Sequence, residues 1–594
     1  MTPGASISQE SAPSRWLFGP AVDLLLGCGL GYIAIFSVLT VFGAELKLLV
    51  PPSVGPLLSL FIGAPHYGAT LLRVYDTAED RRRYLIHGGL ITLVIWLAFW
   101  AGVHVGVVAS ALITIYLTWS PWHYSGQNFG IALMFLHKRG VPVSARARKL
   151  LHLSFQLSFG LAILPMHGAS PQLEYQPSGL ELDAAGFVSL GIPNLIGTVL
   201  FVVLGLAYLT TVVGAGVTLG RSARRWKDLV PTGLLVFTQS LWFVVPLVGQ
   251  RVFGEVEALS SGYAFMWIAL GHMVQYLWIT TYFKRRESNA GGRMGFYLAA
   301  LAAGGATWFL PAMIFAPHRL GDLTWDAGLG MLVASAVNIH HFVLDGAIWK
   351  LRSAPVANVL LSKTDGADAP SALGSLSRLG LRRLLRPAVL GIGALSVAGL
   401  YATSFESRYG LNGGLQRRDL ERVDLAVERL HWLGRDSSSA RIAAAELRAR
   451  VGDPLEAIQQ VEDVLRKDET NVNAWLAVGR LQGGVGNLEL AIAAAERAMA
   501  LEPTSKLATA QLGFELARAA QTQEHLVESA LDFARQLVEA SEGQDALSFR
   551  RLALAQAAAG LTDDARASAL RARELAVTSE EQRLVEGQLA FLLP

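Results

Sequence analysis

The chain has 594 residues, of which 52% are hydrophobic and only 16% are charged. Soluble globular proteins carry about 25% charged residues, so this composition excludes a protein that is water-soluble throughout. The formal net charge of +3 gives no indication of nucleic-acid binding. The single cysteine, Cys28, excludes an intramolecular disulfide and any metal site built from several cysteines.

Composition divides the chain into four segments. Residues 1–19 are polar and predicted to be disordered, whereas residues 20–403 consist of long apolar stretches and predict a multi-pass, histidine-rich transmembrane domain. Residues 404–415 contain three glycines and are predicted to form a linker. Residues 416–594 are rich in Ala, Leu, Glu and Arg, which favours helix. The predicted fold class is therefore all-α.

A membrane-spanning helix needs about 20 mostly apolar residues. The stretch 103–137 is interrupted at Ser120-Pro121, and proline removes a backbone donor, so we expect a broken span there. With it, spans are predicted at 20–42, 54–74, 84–102, 103–137, 149–166, 192–217, 229–248, 262–283, 296–316, 327–348 and 385–403.

Clusters of Lys and Arg follow several of these stretches, for example at 73–83, 138–149 and 221–227. The positive-inside rule places them on the cytoplasmic side. This predicts about eleven spans in the cell (inner) membrane, a cytoplasmic N-terminus and a tail that lies outside, in the periplasm of a diderm bacterium. Twelve spans with the tail inside is the alternative.

The tail repeats with a period of about 34 residues. The unit around Trp475 carries small or turn residues at regular positions, and matching positions recur before and after it: Gly479, Gly486, Ala491, Ala495, Ala498 and Pro503; Ala445, Gly452, Ala457, Val461 and Val464; Gly513, Ala530 and Ala534; Gly560, Ala565, Ala569 and Ala572. This pattern resembles tetratricopeptide (TPR) repeats. The resemblance implies an α-solenoid of about four units over 437–575, a capping helix at 580–592, and a surface that binds a protein or peptide partner.

Histidines inside the predicted spans are the strongest functional signal, because ionisable groups in a membrane are costly and usually functional. The candidate metal ligands are His66, His123, His272, His340, His341 and Asp345. In the eleven-span arrangement their spans run in the same direction and place these groups at a similar depth. His341 and Asp345 are four residues apart and share a helix face, whereas His340 points about 100° away from His341.

A set of imidazoles with a carboxylate suits a transition metal, with iron first and copper or zinc as alternatives. Because no CxxCH attachment motif occurs, a haem held by two histidines would be b-type. Asp345 could instead orient His341 by accepting a ring N–H. A proton path through His and Asp, or purely structural histidines, remain alternatives.

Several common signatures are absent, namely a P-loop, a Rossmann fingerprint and the histidine boxes of membrane desaturases. The layout of many spans followed by repeats resembles some membrane glycosyltransferases, which place an acidic pair in the first outer loop; here residues 43–53 contain only Glu45. The multi-histidine core is similar to membrane carotenoid-cleaving oxygenases that use scattered His ligands.

These observations predict a metal-dependent membrane oxidoreductase or oxygenase that acts on a lipophilic small molecule and uses its tail to dock a partner. A non-enzymatic membrane scaffold that recruits partners through the repeats is one alternative. A lipid-linked transferase or a transporter is another.

Overall fold

The structure is a computed structural model that describes residues 15–49, 54–75, 78–169, 185–253, 261–287, 293–349, 360, 379–503 and 505–593. These residues form helices and connections without a β-strand; a single isolated bridge joins Gly168 and Ile192. The prediction of an all-α protein is confirmed. The chain separates into two compact units: unit 1 comprises residues 1–408 and 432–435, and unit 2 comprises residues 409–431 and 436–594.

The helices of unit 1 follow the predicted apolar stretches. They are α1 (Pro20–Val22), α2 (Leu30–Leu49), α3 (Val54–Leu58), α4 (Ala64–Tyr75), α5 (Ala78–Arg83), α6 (Thr92–His104), α7 (Gly106–Lys138), α8 (Ala145–Met166), α9 (Asn194–Ser222), α10 (Val230–Phe243), α11 (Val245–Phe253), α12 (Ser261–Glu287), α13 (Arg293–Ile314), α14 (Gly330–Ile348) and α15 (Leu379–Phe405). Short π-helical turns cover Asp23–Gly27, Ser59–Gly63, Ile86–Ile91, Trp325–Leu329 and Glu406–Asn412, and a 3₁₀ turn covers Trp226–Leu229.

The prediction of eleven or twelve membrane spans is wrong when spans are counted by the length and apolarity of the helices. In the described part of the chain six helical segments are long and apolar enough to cross a membrane: Ile86–His104, Ala145–Met166, Asn194–Ser222, Met294–Ile314, Trp325–Ile348 and Pro387–Arg417. A seventh is added if Pro20–Gly27 and Leu30–Phe42, which are bent by 56° relative to each other, count as one span.

Polar side chains and helix breaks explain the difference. Helices α4, α7 and α12 carry His66, His123 and His272 together with neighbouring amides and hydroxyls, which lower their apolar character. The stretch predicted at 229–248 is divided at Val244 between α10 and α11. By length and apolarity, the three helices that carry His66, His123 and His272 are not counted as spans, whereas α14, which carries the other three candidate ligands, is counted.

The expected break at Pro121 is also wrong, because α7 continues through it from Gly106 to Lys138. Nearby hydroxyl groups supply donors to the helix backbone: Ser120 donates to the carbonyl of Tyr116 at 2.8 Å and Ser125 to that of Pro121 at 2.7 Å. Proline at position 121 removes only the backbone donor to the Leu117 carbonyl, and the helix continues with these hydroxyl groups bonded to other carbonyls of the same helix.

Two predicted irregular segments are ordered where the structure describes them. Residues 1–14 lie outside the described residues, but Leu17 and Phe18 donate their backbone N–H groups to the Asp23 carboxylate at 2.6 and 3.2 Å. The predicted linker 404–415 is helical, since α15 passes into the turn Glu406–Asn412 and then into α16 (Gly413–Arg417).

A close helix crossing positions α4, the helix that carries His66. Helices α4 and α13 approach so tightly that a Cβ atom on Gly68 would overlap the carbonyl oxygen of Ala300, and one on Gly304 would overlap that of Ala64. Only glycine permits this backbone separation. The crossing therefore determines where the His66 face of α4 lies within unit 1.

Unit 2 is built from short helices that pack against their neighbours in sequence. After α17 (Leu420–Trp432) come α18 (Ser438–Arg450), α19 (Pro454–Lys467), α20 (Val472–Gly484), α21 (Leu488–Leu501), α22 (Lys506–Ala519), α23 (Val527–Ala540), α24 (Ala546–Ala558), α25 (Thr562–Leu575) and α26 (Ser579–Leu589). The helices α18, α20, α22 and α24 each begin a pair; the first two intervals between their starting residues are equal and the third is longer. The repeat interval predicted from the sequence is thus present as helix pairs.

The small residues of the sequence pattern lie where these helices meet. The alanines of α21, α23 and α25 in the pattern, such as Ala495, Ala534 and Ala569, are completely buried. Gly452, Gly486 and Gly560 join the two helices of a pair with φ angles of 112°, 90° and 74°, a region that L-residues with side chains adopt at a cost. The third pair has no glycine there and instead turns through 3₁₀ residues Glu524–Leu526.

We expect Gly304→Ala to destabilise unit 1 by about 2 kcal/mol, because overpacking at this crossing forces α4 and α13 apart. Thermal unfolding of the purified protein in detergent measures the change. Gly295→Ala is the matched control on the same helix, since nothing lies within 4 Å of a Cβ at that position. Equal unfolding temperatures for the two variants would contradict the close crossing.

Candidate metal centre

Four helices bring five of the six predicted ligands together. His66 lies on α4, His123 on α7, His272 on α12, and His341 and Asp345 on α14. The side chains are almost entirely removed from solvent, with 1% exposure for His66 and His272. The ligand atoms of His66, His272 and His341 lie within 4.8 Å of one another, and so do those of His123, His341 and Asp345.

Helix α14 is the central element of this arrangement. Within its apolar stretch 83% of the residues are buried, against 11% for α9. Thr324 accepts a hydrogen bond from the backbone of Ala327 at the start of the preceding turn, and Gly328 adopts a φ of 123°. This turn sets the start of α14, from which His341 and Asp345 follow one helical turn apart on one face.

The imidazole rings lie close together in two overlapping groups that share His341, with His272 and His341 the farthest of the measured pairs at 6.3 Å. Ring centroids are separated by 4.3 Å for His66 and His341, 4.9 Å for His123 and His272, 5.0 Å for His66 and His272, and 5.2 Å for His123 and His341. A metal–nitrogen bond of about 2 Å places a ring centre about 3 Å from the ion, so two ligating rings at a tetrahedral angle are about 5 Å apart. The observed separations fit rings around one ion.

The ring nitrogens of this cluster lack the partners that buried polar atoms normally have. His66 Nδ1, His123 Nε2, His341 Nε2 and both nitrogens of His272 have no hydrogen-bond partner. Four histidines on four helices therefore present unsatisfied nitrogens to the same small region. A metal ion would satisfy them, and the buried His and Asp groups could hold one.

Asp345 has one oxygen engaged and one directed at the cluster. Its Oδ1 accepts from the Tyr276 hydroxyl at 2.7 Å and from the Thr70 hydroxyl at 3.2 Å. Its Oδ2 lies 3.4 Å from His341 Nε2 and 3.8 Å from His123 Nε2. Because the hydrogen bonds orient the carboxylate, Oδ2 is held in position to act as an oxygen ligand.

Thr70 also determines the tautomer that we assign to His341. The Thr70 oxygen lies 3.0 Å from His341 Nδ1, and its hydrogen has acceptors in the Tyr276 hydroxyl at 2.6 Å and Asp345 Oδ1 at 3.2 Å. We therefore place the ring hydrogen of His341 on Nδ1, where it donates to Thr70, which leaves the lone pair of Nε2 facing the cluster. Sequence reasoning missed Thr70, although its position one turn after His66 on α4 was a usable signal.

Amides one turn from the histidines form a second polar group. Gln127 donates to the carbonyl oxygen of His272 at 3.2 Å and to Gln275 at 3.1 Å. Asn128 donates to Gln239 at 2.9 Å. These side chains tie α7, α12 and α10 to one another beside the cluster, and their contacts hold the histidine-bearing helices in register.

His340 does not belong to the cluster. Its Nε2 lies 2.9 Å from the Thr92 hydroxyl, and its ring faces Trp96 with a centroid separation of 6.4 Å. Consecutive residues on a helix point about 100° apart, so His340 contacts α6 while His341 points into the cluster. His340 is thus the one predicted ligand that the structure does not bring to the others.

No protein-family model matches the chain, and no curated protein matches it in sequence. Among solved structures the chain is similar to one described as the crystal structure of MamA protein, at 18% sequence identity. That match covers 32% of this chain and 94% of the MamA chain, with a TM-score of 0.24.

Removing one ligand distinguishes His341 from its neighbour. For iron added to the purified protein, we expect His341→Ala to lower the affinity at least about tenfold, because one of the nitrogens that could hold the ion is lost, whereas His340→Ala retains as much iron as the wild type. Elemental analysis per mole of protein after gel filtration measures both. Equal metal loss in the two variants would contradict the assignment of His340 to a position outside the centre.

Proposed function

We propose that unit 1 is a membrane-embedded oxidoreductase or oxygenase that holds one transition-metal ion at His66, His123, His272, His341 and Asp345 and acts on a lipophilic substrate. The observation that carries the proposal is the convergence of unsatisfied ring nitrogens from four helices on one buried region. Hydrogen-bonded structural histidines would not leave so many nitrogens without partners.

The donor set favours iron. Four imidazoles with one carboxylate oxygen form a mixed nitrogen and oxygen set of the kind that suits non-haem iron, and imidazole also suits copper and zinc. The ring separations argue for a bare ion over b-type haem, because His66 lies 4.3 Å from His341 and 5.0 Å from His272. A porphyrin between any two of these rings would have to occupy the space of a third.

The protein's own contribution is to orient the ligands and to exclude water. When bound, a redox-active ion would supply electron transfer or Lewis acidity. Tyr276 and Thr70 hold Asp345 through its Oδ1, and Trp349 Nε1 donates to the Tyr276 hydroxyl at 3.3 Å. The Tyr276 hydroxyl thereby holds a proton at the edge of the centre. The apolar surroundings strengthen every charge interaction there.

The surface of unit 1 supports the membrane location and the lipophilic substrate class. Helix α9 is largely exposed and presents residues such as Leu195, Val203 and Leu206, each more than half exposed. Apolar surface of this kind is suited to a lipid environment. By the distribution of Lys and Arg we place the N-terminus in the cytoplasm and unit 2 in the periplasm. This arrangement requires an odd number of spans, such as the seven obtained when Pro20–Gly27 and Leu30–Phe42 count as one span. A substrate that enters from the lipid would reach the buried centre without crossing water.

Unit 2 supports docking of a partner outside the bilayer. Its helix pairs carry the TPR-like pattern of buried small residues, and stacked repeats of that kind expose an extended surface suited to a protein or peptide. In the proposed arrangement this unit brings a partner, such as an electron donor or a substrate carrier, to the membrane.

The test is metal content combined with redox behaviour. We expect the protein purified in detergent to contain about one iron per chain, to change its absorption and electron paramagnetic resonance spectra on reduction with dithionite, and to recover them in air. His272→Ala should lose both the metal and the spectral change. His152→Ala is the matched control, since its ring contacts Phe129 and lies outside the cluster.

Each contrary result excludes a different part of the proposal. A stoichiometric but redox-silent zinc would keep the metal site and overturn the oxidoreductase. Folded protein that binds no iron, copper or zinc would overturn both and favour a scaffold that works through unit 2 alone.

A further inference from the structure

The first helices of the pairs in unit 2 carry a continuous row of polar and aromatic side chains. We call it the A-helix row: Glu446 on α18, Arg480 on α20, Gln511, Phe514 and Arg518 on α22, and Arg550 on α24. Glu446, Arg480 and Phe514 follow one another at a distance of one repeat along the sequence. They therefore occupy equivalent positions in successive repeats.

Direct contacts join the members of the row. The Arg480 guanidinium donates to the Glu446 carboxylate and, at 3.3 Å, to Gln511. Arg518 donates to Glu515 at 3.2 Å and to the carbonyl of Gly483 at 3.1 Å. Every cation in this part of the row therefore has an oxygen partner.

Arg550 is the exception. It is only 5% exposed, yet its Nε and Nη1 have no hydrogen-bond partner. Its guanidinium lies over the Phe514 ring, 5.0 Å from the centroid, and Arg518 lies over the same ring at 5.5 Å. Burial, and secondarily the neighbouring Arg551, lower the pKa of Arg550 to about 10, so it remains charged at neutral pH.

Asp545 attracts Arg550 electrostatically, but its carboxylate is engaged by other groups. Asp545 lies 3.9 Å from Arg551 and accepts hydrogen bonds from the backbone of Leu547 and Ser548 at the start of α24. Glu515 is paired with Arg518. Three arginines thus face two carboxylates that already have other partners, which leaves an uncompensated positive charge. A buried, unpaired charge of this kind is costly and is normally met by a counter-charge.

We propose that Arg550, supported by Arg518 and Arg551, binds a side-chain carboxylate of an acidic peptide segment of the docking partner. Guanidinium groups offer several N–H donors in a fork that matches a carboxylate. This inference rests on the docking role proposed for unit 2 and is independent of the metal centre.

The row itself favours a peptide over a free anion. Arg480 and Arg518 keep 45% and 34% of their side chains exposed, so they can meet further acceptors along an extended chain. The contacts run from α18 to α24, across all four helix pairs. A small carboxylate would engage only the Arg550 end of this row.

The experiment measures binding of a fluorescein-labelled hexaglutamate peptide to the full chain in detergent by fluorescence anisotropy. We expect saturable binding by the wild type, no binding of the matched hexaglutamine peptide, and at least about tenfold weaker binding by Arg550→Gln, about the loss expected for one charge-assisted hydrogen bond. Arg535→Gln is the control, since Arg535 is a 60% exposed arginine on α23 paired with Asp532, and it should bind as the wild type does.

Two further measurements complete the experiment. One distinguishes a peptide carboxylate from a free anion, and the other replaces Arg550→Gln if that variant does not fold. Free glutamate, added at the same carboxylate concentration as the peptide, should displace the labelled hexaglutamate only weakly. Full displacement would show that the site binds a free anion and would overturn the proposal of a peptide ligand. If Arg550→Gln does not fold, Arg550→Lys keeps a buried cation but lacks the fork, and should still bind at least about threefold more weakly. If Arg550→Lys binds hexaglutamate as tightly as the wild type does, or if the wild type binds hexaglutamine as tightly as hexaglutamate, the proposed site for an acidic peptide is overturned. The docking role proposed for unit 2 would then have to depend on other contacts, which a direct binding assay can test.

Discussion

The architecture of unit 1 depends on keeping polar groups together inside an apolar bundle. Each imidazole or carboxylate that is removed from water without a partner costs free energy, and such groups therefore collect where they can share partners. Here α4, α7, α12 and α14 supply four imidazoles, and Thr70 and Tyr276 hold the carboxylate. The ring nitrogens that remain unpaired define the proposed centre.

This constraint also shapes the periphery. Among the six apolar segments of the described chain, the most buried, α14, carries two members of the cluster, and the most exposed, α9, carries none. The glycine crossing of α4 and α13 draws the His66 face inward. Polar residues thus occupy the inner helices and apolar residues the outer ones, which is the distribution expected of a bundle in lipid. In the proposed function this distribution separates a dry reaction site from the surface through which a lipophilic substrate enters.

Unit 2 solves a different packing problem with different residues. Each helix pair is too small to bury its own apolar surface, so alanines at the interfaces let neighbouring pairs approach closely. The third pair departs from the regular repeat interval because it lacks the glycine turn and inserts a 3₁₀ segment. Arg550 lies on α24, the first helix of the next pair, and contacts Phe514 on α22, the helix before the insertion. The irregular repeat and the uncompensated arginine are therefore neighbours.

Local sequence determined the helical class, the places where helices form, the interval of the repeats and the histidines worth considering, because hydrophobic runs, turn glycines and buried-type alanines are local signals. It did not determine where each helix begins and ends, which decides how many segments are long and apolar enough to span a membrane, as the division between α10 and α11 shows. The sequence placed His340 and His341 about 100° apart, but it did not decide which of them enters the cluster, nor did it find Thr70 as a partner of Asp345. Those distinctions depend on which face of α14 meets α4, α7 and α12, and only the packing of helices distant in sequence decides that.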